Sequence, residues 1–178
     1  MTAGTISPES EDSEAGLLRR LFPRQIDNNF RGRRLGLWLF GVFVFVKLLQ
    51  GAESVIDSYA TATNADGIPL QDYGAAAAQT MVSMFALLGL NLLILPLMGL
   101  LALVLYRAMI PLIYFMMLLL YLAGRAVQLA HPIARAGGVQ PIGFYVNLIL
   151  LAILLMGFAL SLTRAGSKRI VRGEHVAI

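Results

Sequence analysis

The 178 residues are 58% hydrophobic and only 13% charged, with a formal net charge of +4, a pI of about 9.8 and a mean hydropathy of +0.74. Soluble domains carry roughly a quarter of their residues charged and bury under half as apolar, so this composition excludes a water-soluble globule. The basic balance does not mark a nucleic-acid partner, because Arg and Lys flank apolar blocks instead of lining one face. A complete lack of cysteine removes disulfides, thiol redox chemistry and Cys-based metal sites.

Residues 1–16 are polar and acidic, with Glu9, Glu11, Asp12 and Glu14 close together. Such a stretch buries too little surface to offset the entropy of ordering it, and reads as a flexible tail. Segment 17–34 is a basic juxtamembrane region. In GLLRRLFP, Leu17, Leu18, Leu21 and Phe22 share a helical face and Arg19 and Arg20 take the other. That pattern suits a short helix on an anionic membrane surface or a plain linker, and Pro23 ends it after barely two turns.

Four apolar blocks follow, at about 35–56, 78–105, 108–129 and 142–163. Each is long enough to cross the roughly 30 Å hydrocarbon core as a helix, so the expected fold is all-α: a polytopic transmembrane four-helix bundle over 35–163. The first connection, SYATATNADGIPLQDYG, carries a DG turn signal and a proline and reads as an ordered or semi-ordered external loop. The second is a tight turn around YRAMIP, which makes an antiparallel hairpin with Pro111 in the first turn of the next helix. HPIARAGGVQP forms the third connection, and 164–178 is a basic tail.

Counting basic residues by side gives the threading. Arg19, Arg20, Arg24, Arg31, Arg33, Arg34, Arg107, Arg164, Lys168, Arg169 and Arg172 fall on one side, against Arg125 and Arg135 on the other. Basic residues in short loops mark the cytoplasmic face, so both termini are expected inside, in a bacterial inner membrane.

The run WLFGVFVFVKLLQGAESVID places Lys47 thirteen residues past Arg34, roughly 20 Å along a helix. At 100° per residue, Lys47, Gln50, Gly51, Ser54 and Asp57 share one side, with Glu53 at its edge. A charge at mid-span costs about 2.5–3.5 kcal/mol on translocon scales, so this stripe is expected to face protein or water. Two readings stay open: Lys47 snorkels along its own stem, or it pairs with a carboxylate in a polar cavity. Arg125 reaches a similar level of the third helix, so Lys47, Gln50, Glu53, Asp57 and Arg125 are the candidate intramembrane polar site.

Elsewhere, Asn91 and Asn147 read as helix–helix hydrogen-bonding residues, and Gly157 and Ser161 as a small-residue packing face. Pro96 is expected to kink the second helix. Trp38, Tyr106, Tyr121 and Tyr145 lie near the expected interfaces, where amphipathic rings anchor a span. His131 and His175 fall on opposite sides, which leaves no Ser/His/Asp arrangement, and no cofactor or metal is expected.

The segments FRGRRLGLWLFGVFVFVK, ADGIPL, YRAMIPLIY and GFYVNLILLA, in that order, resemble a family of small bacterial four-helix inner-membrane proteins with no assigned activity. The layout of one span, an external loop, a hairpin and a last span is more distantly similar to the DoxX-like proteins, in topology only. Neither resemblance implies a catalytic site. The expectation is therefore a non-enzymatic accessory or scaffold protein, docking in the lipid bilayer onto its own copies (a homo-oligomer) or a larger membrane complex. A small oligomeric transporter with a polar pocket around Lys47 is the alternative, and a quinone- or lipid-handling enzyme comes after it. An open cavity reaching Lys47 would favour transport, and a face packed shut would favour the scaffold.

Overall fold

The computed structural model describes residues 16, 18, 19, 21–23, 25, 27–132 and 141–163. The acidic tail up to residue 15, the 164–178 tail and the third connection around Arg135 lie outside the described residues. All regular elements described are helical. Four are long and apolar enough to cross a membrane: α1 (Arg34–Ile56), α2 (Ala75–Val104), α3 (Ile110–Ala130) and α4 (Ile142–Leu162).

These bounds lie within a turn of the sequence expectation. Helix α2 begins early because Ala75–Ala78, the best helix formers, extend it back to Gly74, whose extended backbone (φ −61°, ψ 150°) starts the element. It also stays helical through Pro96, which is buried inside it. Proline has no N–H to offer, so the carbonyl of Leu92 loses its intrahelical partner.

The first connection is folded. The Asp57 carboxylate accepts the Ala60 N–H at 3.0 Å and caps a helical turn. Gly67 then reverses the chain at φ 71°, a left-handed conformation that suits glycine at this DG step. Ala62, Ile68 and Leu70 pack beneath Tyr73, Val82 and Phe85 as a small separate core.

Helix α1 is the spine of the bundle. It packs along α2 and α4, while α3 rests chiefly on α4. Close approach to α2 depends on Gly89, where an added Cβ would sit 2.6 Å from the Ser54 Cβ. One end of the bundle gathers the start of α1, the end of α2, the start of α3 and the end of α4, and is called the hairpin end below. There Tyr114 is fully buried, donates its hydroxyl to the Gly36 carbonyl at 2.8 Å and meets Phe40 edge-on at 4.9 Å. Gly157 lies against the same phenol: a Cβ on it would stand 2.1 Å from the oxygen. The Arg33 N–H reaches the Leu160 carbonyl and the Ala108 N–H reaches the Asp27 carbonyl, both at 3.2 Å, which ties the segment before α1 to the turn that leads into α3 and to α4.

Phe40, Phe43, Val44, Ile113, Met117 and Leu154 complete the main core. Outward-facing positions of α2 such as Leu87, Leu90, Ile94 and Leu97 are more than half exposed. Lipid tails solvate such side chains as well as protein does, so helix association rests on close packing and polar contacts, and not on apolar burial alone.

Candidate functional site: a cleft between α2 and α3

Toward the loop end the bundle opens. Near the hairpin end α2 and α3 meet where the Met117 methyl approaches Gly99. Beyond that point they separate, leaving a cleft of about 360 Å³. Its α2 wall is Phe85, Leu88, Leu92, Leu95 and Pro96; its α3 wall is Met117, Leu120, Tyr121, Gly124, Arg125 and Gln128. Phe43, Lys47 and Ser54 of α1 and Asn147 of α4 form the floor, and Thr61 and Asp66 close the loop end. The eleven steps from Phe85 to Pro96, or from Met117 to Gln128, span about 16 Å at 1.5 Å per residue. Gly124 marks the opening most plainly, because a Cβ there would meet nothing within 4 Å.

Lys47 stands on the cleft floor. Its ammonium donates to Gln50 Oε1 at 2.9 Å and to Asn147 Oδ1 at 3.2 Å. It also lies 5.3 Å from the Tyr121 ring centroid and 6.0 Å from that of Phe43. Both are cation–π distances. The Tyr121 hydroxyl in turn donates to the Asn147 backbone carbonyl, so α3 is tied to the residue whose side chain meets Lys47. One turn further along α3, the Arg125 guanidinium lies 4.8 Å from the Phe144 centroid and donates to Gln128 Oε1 at 3.1 Å.

The expected polar stripe divides. Lys47 and Gln50 turn toward α4, whereas Gly51 and Ser54 are buried against α2. Lys47 and Arg125 line the same cleft, on different walls. Glu53 and Asp57 are exposed and are not among the cleft lining; the Asp57 carboxylate serves as the Ala60 cap. The carboxylate partner considered for Lys47 is replaced by two amide oxygens. Tyr121, expected as an interfacial anchor, is instead half-buried beside Lys47.

Asn147, Tyr121, Phe144 and Gln128 were not in the candidate set. Spacing offered a signal for three of them: Tyr121 is i,i+4 with the candidate Arg125 on α3, and Phe144 and Asn147 are i,i+3 on α4. Each pair therefore presents one cation-contacting ring and one polar group to the same side.

The chemistry available is that of recognition. Two oriented cations, one on α1 and one on α3, line one cleft with amide and phenol dipoles beside an apolar wall. Comparison with protein-family models, with curated proteins and with solved structures found no match for this chain, so the functional reading rests on this geometry.

Proposed function

We propose that this protein is a multi-pass membrane protein that binds an amphipathic small molecule in the cleft between α2 and α3. The observation that carries the reading is the open space reaching Lys47, flanked by apolar side chains on α2 and by Tyr121 and Arg125 on α3. Largely apolar concave sites with a few convergent polar groups are the usual form of small-molecule sites. An intramembrane cation held by neighbouring helices is costly, and so marks function more readily than structure. The proposed activity is binding or transfer of the ligand, not bond-making.

The proposed threading puts the hairpin end, with Arg31, Arg33, Arg34 and Arg107, at the cytoplasmic face of a bacterial inner membrane, and both termini inside. An accessory role in a larger membrane complex is the second reading, favoured by the long exposed apolar face of α2.

Filling the cleft tests the first reading. A Gly124→Trp variant introduces bulk where nothing stands in the way. Molecules that co-purify with the wild-type chain in mild detergent should be lost from it, while the helical content stays the same. Unchanged retention would contradict the reading, and co-purifying proteins unaffected by Gly124→Trp would favour the accessory role.

A further inference from the structure

We propose that the ligand of this cleft is an anionic phospholipid, with its phosphate held by Lys47 and Arg125 and an acyl chain laid along α2 and α3. The inference rests on the cleft being a binding site and deepens that reading by naming the chemical class. An ammonium group has three N–H donors. Two of those on Lys47 are taken by the amide oxygens of Gln50 and Asn147, at 2.9 Å and 3.2 Å. These partners fix where the cation points, but they are neutral and leave its charge uncompensated. Among the described residues no carboxylate stands at salt-bridge distance from Lys47 or Arg125; the ion pair found there is Arg31–Asp27, at 3.3 Å.

Arg125, one turn beyond Tyr121 on α3, repeats the arrangement. A ring face and an amide oxygen hold its guanidinium, at 4.8 Å and 3.1 Å, and neither carries charge. Asp66 lines the loop end of the same cleft, so one carboxylate stands there against two cations and the lining keeps a net positive charge. A membrane protein thus positions two cations by neutral groups inside an apolar cleft, where a bound anion interacts far more strongly than at a wet surface.

Ligand charge follows from that deficit. A neutral carbonyl head would accept the third Lys47 proton and leave the net positive charge of the lining standing. A zwitterionic head would bring its own cation close to Arg125. A phosphodiester with no attached cation carries one negative charge, so together with the Asp66 carboxylate in the same cleft it balances the two cations, and it also accepts from the free donor; charge-assisted bonds of this kind are about twice as strong as neutral ones. The source is a lipid and not free phosphate, because Leu88, Leu92, Leu95 and Leu120 continue the site as an apolar wall.

The test uses the purified full chain in neutral detergent, with phosphatidylglycerol and phosphatidylcholine of the same acyl chains as probes and retention read by native mass spectrometry. The wild type should hold phosphatidylglycerol about tenfold more tightly, as one charge-assisted hydrogen bond implies. Lys47→Gln should bring the two lipids close to equal, Lys47→Arg should keep most of the preference, and Arg125→Gln should weaken it. Arg31→Gln, at the distant hairpin end, should change nothing. A preference that survives Lys47→Gln overturns the proposal, as does displacement of the lipid by inorganic phosphate alone. If the wild type holds both lipids equally and Gly124→Trp abolishes both, anion selection fails while the cleft reading stands. If Gly124→Trp leaves retention untouched, the cleft reading fails and the proposal goes with it.

Discussion

The two ends of the bundle solve the same problem in opposite ways. At the hairpin end, glycines at 36 and 157 let three helices close around the Tyr114 phenol, and its hydroxyl is satisfied by the Gly36 carbonyl. Toward the loop end, Gly124 has open space before it and two cations occupy the gap beside it. Small residues alone therefore do not bring membrane helices together. They close a seam only where a neighbour's side chain fills the notch, as Tyr114 does at Gly157. Where none does, the small residue becomes part of a cleft wall.

The sharpest way to break that contrast is to make one substitution at both glycines. At Gly157 a Cβ would stand 2.1 Å from the Tyr114 oxygen and 2.6 Å from its ring carbon. Gly157→Ala should cost about 2–3 kcal/mol, the upper range for overpacking a tight core, read as a lowered midpoint of unfolding in mixed detergent micelles. The Gly36 carbonyl comes next. Tyr114→Phe leaves that acceptor without its hydroxyl donor, and the expected loss is about 1–2 kcal/mol, distinguished from Gly157→Ala by an unchanged shape. At Gly124 the sign reverses. Gly124→Ala adds a methyl to empty space in a helix interior and should stabilise by about 0.5–1 kcal/mol. Equal effects at 157 and 124 would remove the distinction between the two ends.

Run length and charge were enough to read the four spans and the hairpin from the sequence, because about 20 apolar residues are needed to cross a bilayer and few other structures use them. Lys47 was also legible, as a charge that cannot be ignored inside such a run. Its partners were not. Asn147 lies 100 positions further along the chain, and a single sequence carries no record of which helix faces which. The helical wheel placed Lys47, Gln50, Gly51, Ser54 and Asp57 on one side. It could not show that two helices pack against that side, so that Gly51 and Ser54 go to α2 and Lys47 to α4. Pro96 was legible as a break in the hydrogen-bond ladder within the second span, and the helix runs through it from Ala75 to Val104.

The chain has no cysteine, so a single introduced thiol reports cleanly on the cleft. Lys47→Cys and Phe40→Cys, each challenged with a small maleimide in native membranes, form the most direct measurement. Phe40 is fully buried in the main core, whereas position 47 lines the cleft floor. The thiol at 47 is expected to react readily, to be shielded when Gly124→Trp is added, and the thiol at 40 is expected to stay inert. A thiol at 47 as unreactive as the one at 40 would show the seam between α2 and α3 to be shut in the membrane, and would contradict the binding site built on it.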